Sequence, residues 1–307
     1  MRCIRRPRFV CLSIGISVIA FFLTSCATGR IHHATSVVDY LYPEARDLNI
    51  TPGIPVLSLP MRVGIAFVPV PPDGRSDQRY VWGTARPGTT TSGPDLLGRT
   101  HEFALTESKK MALMKEVADH FSKYPFVKSI ELIPSAYLTA RGSFTNLDQI
   151  RTMYGLDVIA LLSYDQTQFT DQSMLSISYW TLVGAYVVPG EKNDTHTMLD
   201  AVIYDIVSRK MLFRAPGISH LKGRATPINL SEELRADSES GFNEAAKQMI
   251  ANLDEQLALF KEKVKAQPSE YKVAHRPGYT GTGALDPIAV ALAAILGGGL
   301  LWTRRRG

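Results

Sequence analysis

Cysteine is scarce in this chain of 307 residues, and its three positions, Cys3, Cys11 and Cys26, all fall at the amino end. Beyond Cys26 the chain has no thiol, which excludes disulfide bonds, thiol catalysis and cysteine-ligated metal from its body. A body of this length can bury a hydrophobic core without disulfide bonds.

Several catalytic motifs are also missing. The sequence has no G-x-S-x-G nucleophile elbow and no G-x-x-x-x-G-K-[ST] phosphate loop. Its seven histidines lack the spacing of a helical zinc-protease motif. We therefore predict no catalytic residue, no metal ligand and no enzymatic activity, while a hydrolase whose site assembles only in three dimensions stays an alternative.

Individual polar residues receive structural interpretations. His32 and His33 are interpreted as solvated side chains, with a weak metal site as the alternative. His120 is predicted to lie on a solvated helix face. Asp200 and Asp205 are predicted to be surface or hairpin-facing groups.

The basic charge of the chain is confined to its ends. Residues 1–25 contribute +4 and residues 284–307 contribute +2 to the formal net charge of +5, which leaves −1 for the body. A basic nucleic-acid footprint is therefore missing from the body, and no nucleic-acid partner is predicted.

The amino end has the layout of a secretory signal. Arginines precede an apolar run from Phe9 to Leu23, which is too short for a comfortable membrane span. The run closes on Leu23, Thr24, Ser25 and Cys26, which resembles the bacterial lipobox. The resemblance implies cleavage by signal peptidase II and acylation of Cys26, the lipid being the only covalent group expected. The alternative is an ordinary signal peptide or an uncleaved anchor.

The carboxy end has the layout of a marginal membrane span. Ile288 to Trp302 is apolar and only about 22 Å long as a helix, with glycines at 297–299 in its middle. Arg304, Arg305 and Arg306 follow, and the positive-inside rule places them in the cytoplasm. Small residues precede the span at Gly281, Thr282, Gly283 and Ala284. The alternative is a plain, permanent carboxy-terminal anchor.

Between these ends the hydrophobic pattern predicts an α/β (α+β) fold. We expect one mixed sheet with flanking helices, a long carboxy-terminal amphipathic helix from about 238 to 266, and a carboxy-terminal transmembrane helix. The architecture is similar to small periplasmic α/β domains of outer-membrane lipoproteins, which implies no function. The predicted units are a signal peptide (1–25), a tether (26–60), a periplasmic-type α/β domain (61–266), a linker (267–283) and a transmembrane sorting tail (284–307).

Two segments have more specific interpretations. The apolar and aromatic SVVDYLYP (36–43) is expected to pack on the domain. The interval 71–100 is long for a loop in a compact domain, so it is predicted to be functional or disordered. Tyr80, Val81 and Trp82 within it are either a local cover over the core or a contact for a partner.

The tail resembles the GlyGly-CTERM sorting signal, which rhombosortases recognise. These enzymes are rhomboid-type intramembrane proteases, and helix-weakening glycines favour their substrates. Together with the lipobox, SVVDYLYP and the α/β body, the tail makes the chain similar to the rhombotarget lipoproteins. One departure is that Thr282 interrupts the usual glycine pair.

The resemblance implies a non-enzymatic envelope lipoprotein that is lipidated at Cys26 and cleaved in its tail by a rhombosortase. Its implied partners are signal peptidase II, the acylation and sorting machinery, the rhombosortase and the lipid membrane. Ala27 replaces the aspartate that retains lipoproteins in the inner membrane, so the outer membrane or cell surface is expected. The alternative is an accessory module for envelope assembly or secretion, bound to an envelope protein and permanently anchored.

Overall fold

A computed structural model describes residues 28–43, 51–70, 80–81, 105–172, 191–226, 228–277 and 279. Nine strands lie in these ranges: β1 (Thr28–Ala34), β2 (Val56–Leu59), β3 (Met61–Phe67), β4 (Tyr80–Val81), β5 (Val127–Ile133), β6 (Val158–Gln172), β7 (Glu191–Asp205), β8 (Lys210–Ala225) and β9 (Lys272–His275). The α-helices of the same ranges are α1 (Val37–Leu41), α2 (Glu107–Phe121), α3 (Ser143–Tyr154) and α4 (Leu230–Ala266).

The described residues form one seven-stranded mixed sheet built on β6, β7 and β8, which are long and antiparallel. One edge of β6 pairs with β7 along its whole length. Along the other edge, residues 158–162, which we call the lower half, pair with β3, and residues 165–171, the upper half, pair with β1. In the lower half, β3 lies parallel to both β6 and β5, from the pair Val63–Val158 onward. In the upper half, β1 runs antiparallel to β6, from Ala34 opposite Asp165 to Thr28 opposite Asp171, and β4 pairs with its far side.

Helices cover both faces of the lower half of the sheet. Helices α2 and α4 pack on what we call the inner face, where Met114, Val117 and Met249 meet Ala160 and Leu162. Helices α1 and α3 pack on the outer face, in a cluster with Ile159, Leu161 and Val202. The 37 residues of α4 extend for about 55 Å, long enough to follow the whole inner face.

Local sequence explains where the helices begin and end. The Thr106 side chain accepts a hydrogen bond from the Lys109 amide and caps α2. Gly155 ends α3 with a φ of 65°, in the left-handed region that glycine tolerates best. Gly217 of β8 lets α4 approach closely, since a Cβ there would lie 2.6 Å from the Met249 amide nitrogen.

The prediction of a mixed α+β fold with a mixed sheet and flanking helices is confirmed. The long amphipathic helix is also present, although it begins eight residues earlier than expected. A second sheet was not predicted: β2 and β9 pair in parallel, from Val56–Lys272 to Leu59–His275. SVVDYLYP packs as expected, with Val37, Tyr40 and Leu41 buried.

Two predicted connecting segments contain regular structure. The interval 26–60, interpreted as a tether, contributes β1 to the main sheet. Tyr80 and Val81 form the edge strand β4, while Trp82 lies outside the described residues. No helix in the described ranges combines the length and apolar character needed to cross a membrane, and the predicted span at 284–307 lies outside those ranges.

Candidate functional site

The predicted processing residues lie outside the described residues at both ends. This holds for the lipobox, Leu23 to Cys26, and for the small residues before the span, Gly281, Thr282, Gly283 and Ala284. It also holds for the orientation signal, Arg304, Arg305 and Arg306. Thr28 is the first residue that the structure describes and Tyr279 is the last. We call these the amino-terminal and carboxy-terminal departure points, because the terminal segments connect to the domain there.

The amino-terminal departure point lies at the upper end of the sheet. Thr28 begins β1 only two residues after Cys26 and pairs with Asp171, near the end of β6. The predicted lipidation site is therefore only two residues along the chain from this end of the sheet.

The carboxy-terminal departure point lies at the lower end. Arg276 donates to the Asp157 carboxylate from Nη2 at 2.7 Å and to the Pro60 carbonyl from Nη1 at 2.7 Å. Tyr271 is 2% exposed and packs edge-on against Phe260, with ring centroids 5.5 Å apart. The part of the predicted linker from Tyr271 to Arg276 is therefore bound to the domain.

A cluster of metal-ligating side chains occupies the outer face of the upper half. Asp194 and His196 are two residues apart on β7, so both side chains point to the same face of the sheet. His220 of β8 lies directly opposite His196 in the register. The pairing of β7 with β8 thus brings His220 beside Asp194, which precedes it by 26 residues in the sequence.

The three ligand atoms of this His–Asp cluster converge. One carboxylate oxygen of Asp194, Oδ1, lies 2.5 Å from His220 Nε2 and 3.2 Å from His196 Nε2. The two imidazole rings stack with centroids 4.0 Å apart and an angle of 15° between their planes. The side chains are between 38% and 48% exposed, so solvent reaches the cluster.

The sequence did not predict this cluster, because its histidines lie on two different strands and show no helical His spacing. The pairing of His196 with His220 depends on a register shift between Ile203 and Tyr204 of β7. On the turn side of the shift, Tyr204 pairs with Met211, and beyond the shift Ile203 pairs with Phe213, so one residue of β8 is skipped. Without this bulge, every later pair would move by one residue and Ser219, not His220, would lie opposite His196. The available signal was the spacing of Asp194 and His196, which places both side chains on one face if the segment is a strand.

Several polar residues differ from their sequence interpretations. His120 is not on a wet face, since its Nε2 lies 2.7 Å from Asp254 on α4. His32 Nε2 likewise lies within hydrogen-bond distance of Asp165 Oδ1, at 3.0 Å. Asp200 and Asp205 make their contacts within the β7–β8 hairpin, one of the two predicted placements, but they are buried, at 7% and 4% exposure. Both carboxylate oxygens of Asp200 share the single N–H of Arg214 Nε, and Asp205 accepts the Ser208 amide.

Asp254, which is partly exposed, shows how such hydrogen bonds change ionisation. Burial alone would raise the pKa of its carboxyl, but hydrogen bonds from Tyr124 and His120 outweigh burial and lower that pKa. The same hydrogen bond to Asp254 raises the pKa of Tyr124. Asp254 therefore joins the end of α2 and the following turn to the middle of α4 as a carboxylate.

An apolar cavity of about 100 Å³ lies between the inner face and helices α2 and α4. Its lining is wholly apolar and includes Val63, Phe126, Leu212 and Phe260. The Lys261 ammonium lies 4.7 Å from the centre of the Phe126 ring, beside the cavity. The lining provides no hydrogen-bonding side chain that could orient a polar substrate.

Comparison of the chain with protein-family models and with curated proteins finds no match.

Proposed function

We propose that this chain is a non-enzymatic lipoprotein of the bacterial envelope, lipidated at Cys26 and cleaved in its tail by a rhombosortase. The observation that carries the proposal is the presence of two processing signals on one chain. Leu23 to Cys26 resembles a lipobox, and the glycine-containing apolar segment before Arg304–Arg306 resembles a rhombosortase tail. Signal peptidase II and the acylation machinery act at the first signal.

The tail is a temporary anchor in this proposal. Residues 284–307 cross the inner membrane as a marginal helix with the arginines in the cytoplasm. Each glycine at 297–299 weakens the helix by roughly 1 kcal/mol relative to alanine, which helps it unwind into a rhomboid active site. The cut falls between about Gly281 and Ala284, and the lipid on Cys26 then carries the protein to the outer membrane or cell surface.

The positions of the two departure points support a change of attachment on cleavage. Thr28 pairs with Asp171 at the upper end of β6, and Arg276 contacts Asp157 just before its lower end. At about 3.3 Å per residue, these two points are about 45 Å apart. Ala284 follows Tyr279 by five residues, so the span begins within about 18 Å of the lower end.

A precursor held at both ends must therefore lie along the bilayer, since neither connection is long enough to cover the length of β6. Removal of the tail frees the lower end and leaves the upper end attached through Cys26. Cleavage then allows the body to extend away from the membrane, which suits a protein that meets a partner in the envelope.

Expression with an active or an inactive rhombosortase tests the proposal. We expect the wild-type chain to incorporate labelled fatty acid and to migrate as a shorter species only with the active protease. Cys26→Ala abolishes acylation, and replacement of residues 297–299 by leucine slows cleavage. Gly278→Leu, which precedes the predicted site, serves as the matched control.

Equal mobility with the active and the inactive protease would reject cleavage. That result with acylation intact would support the permanently anchored accessory module instead. An unacylated wild-type chain would reject the lipoprotein assignment.

A further inference from the structure

The His–Asp cluster on the outer face has the donor set of a transition-metal site. Asp194, His196 and His220 each offer one ligand atom, and all three atoms lie within 4.8 Å of one another. Two imidazole nitrogens with one carboxylate oxygen suit borderline divalent ions such as Zn²⁺, whereas Mg²⁺ and Ca²⁺ prefer oxygen ligands alone.

We propose that Asp194, His196 and His220 bind one divalent transition-metal ion, with Zn²⁺ as the reference ion. The ion takes Nε2 of both histidines and a carboxylate oxygen of Asp194. Nothing in the lipid anchor or the tail requires such an ion, so the proposal is independent of the processing signals.

The two distances from Asp194 are near those that this ion requires, and the two histidine nitrogens lie within 4.8 Å of each other. Zn–N bonds of about 2.0–2.1 Å and tetrahedral angles require neighbouring ligand atoms to be about 3.3 Å apart. His196 Nε2 and Asp194 Oδ1 are already 3.2 Å apart. His220 Nε2 has to move away from that oxygen by less than about 1 Å, which rotation of an exposed side chain allows.

The backbone beneath the cluster is held by the inner face. Thr195 and Thr197, which alternate with the ligands on β7, are 0% and 1% exposed. Thr197 accepts a bond from Gln166 at 2.8 Å, and Ser219, next to His220, donates to Glu244 of α4 at 2.6 Å. The ligands therefore project from a fixed hairpin, and binding requires little ordering of the main chain.

The exposure of the cluster leaves the bound ion accessible to a further ligand. Three protein ligands leave at least one coordination position, and the 38–48% exposure of the side chains gives water or a ligand from another molecule access to it. Lys222 is exposed and lies opposite Asp194 in the register, so its charge opposes the ion. Neutralising that lysine should therefore strengthen binding.

Zinc titration of the full chain, purified in detergent and freed of metal with a chelator, tests the site. We expect one equivalent of Zn²⁺ to bind in competition with a chromophoric chelator. His196→Ala and His220→Gln should each weaken binding at least tenfold, or about 1.4 kcal/mol. Lys222→Gln should strengthen it, and His275→Ala on β9 is the matched control that leaves it unchanged.

A second measurement guards against variants that fail to fold. Zn²⁺ should raise the melting temperature of the wild-type chain and of His275→Ala, but not that of His220→Gln. Absence of saturable Zn²⁺ binding would overturn the proposal. Binding that persists in both histidine variants, or that falls equally in His275→Ala, would also overturn it.

Discussion

At Gly217 the absence of a side chain decides how closely α4 packs on the sheet. A Cβ at this position would lie 2.0 Å from the Ala245 carbonyl oxygen and 2.6 Å from the Met249 nitrogen, both backbone atoms of α4. Backbone atoms in the middle of a helix cannot move aside individually. A methyl group would therefore have to displace the helix from β8.

We predict that Gly217→Ala lowers the free energy of unfolding by about 1–3 kcal/mol or more, as overpacking does in well-packed cores. Gly53→Ala is the matched control, because the nearest atoms to its Cβ are 3.7 Å away, at Ser208. Its effect should stay within about 1 kcal/mol in either direction. Urea denaturation of both variants measures the difference, and equal stabilities would contradict this account of the packing.

Asp254 joins α2 to α4 through hydrogen bonds to one ionised group. Its carboxylate accepts from Tyr124 at 2.8 Å and from His120 at 2.7 Å, and its pKa is lowered in the folded chain. A depressed acid pKa adds stability above the unfolded pKa, near 3.8, and that stability is lost as the pH falls through the folded pKa.

We predict that Asp254→Asn costs at most about 1 kcal/mol at neutral pH, because its side chain is 39% exposed and solvent screens the hydrogen bonds to the carboxylate. The difference from wild type should shrink as the pH falls below about 4. Lys115→Gln is the control, since Lys115 and Asp119 form an exposed pair worth at most about 1 kcal/mol. A cost that does not change between pH 7 and pH 3 would contradict the ionised bridge.

At the scale of elements, apolar periodicity was sufficient to predict the helices and strands of the lower half of the sheet. The apolar stripe of α2, the β-branched run of β3 and the apolar first half of β6 are all visible in the sequence. There, both faces of the sheet meet apolar helix surfaces, so burial and hydrophobicity coincide.

The upper half was harder to predict because its buried side chains are polar. Gln166 and Gln168 are 1% and 2% exposed, and their amides donate to the Ser238 and Leu234 carbonyls of α4. A strand that buries glutamine shows no apolar alternation, so the sequence pattern does not reveal that β6 continues from Asp165 to Gln172. The first turns of α4, which pack on this polar layer, were missed for the same reason.

The His–Asp cluster shows a second limit of sequence analysis. Side-chain direction follows from period-two alternation, but the partner strand's register depends on one bulge near the hairpin turn. A shift of one residue exchanges His220 for Ser219 opposite His196. No local pattern in the sequence fixes that shift.

For the whole molecule, the distance between the two departure points predicts its orientation relative to the membrane in our proposal: along the bilayer before cleavage and away from it afterwards. All three native cysteines lie within the first 26 residues, and in our proposal Cys26 carries lipid, so single cysteines can be introduced for labelling. Val207, 64% exposed in the β7–β8 turn, reports on the lower end. Lys192, exposed on β7, reports on the upper end.

We predict that a donor fluorophore on Val207→Cys transfers energy to acceptor lipids in the uncleaved protein and loses that transfer after tail removal. The donor on Lys192→Cys should show strong transfer in both states, because it stays near the lipidated end. Transfer from Val207→Cys that is insensitive to tail removal would contradict the proposed release of the lower end.

The intact mass of the mature protein tests the central claim most directly, because it defines both ends of one molecule. In cells with an active rhombosortase, we predict a species that begins at acylated Cys26 and ends between about Gly281 and Ala284. A species that still ends at Gly307, or one whose first residue is not an acylated Cys26, would contradict the account.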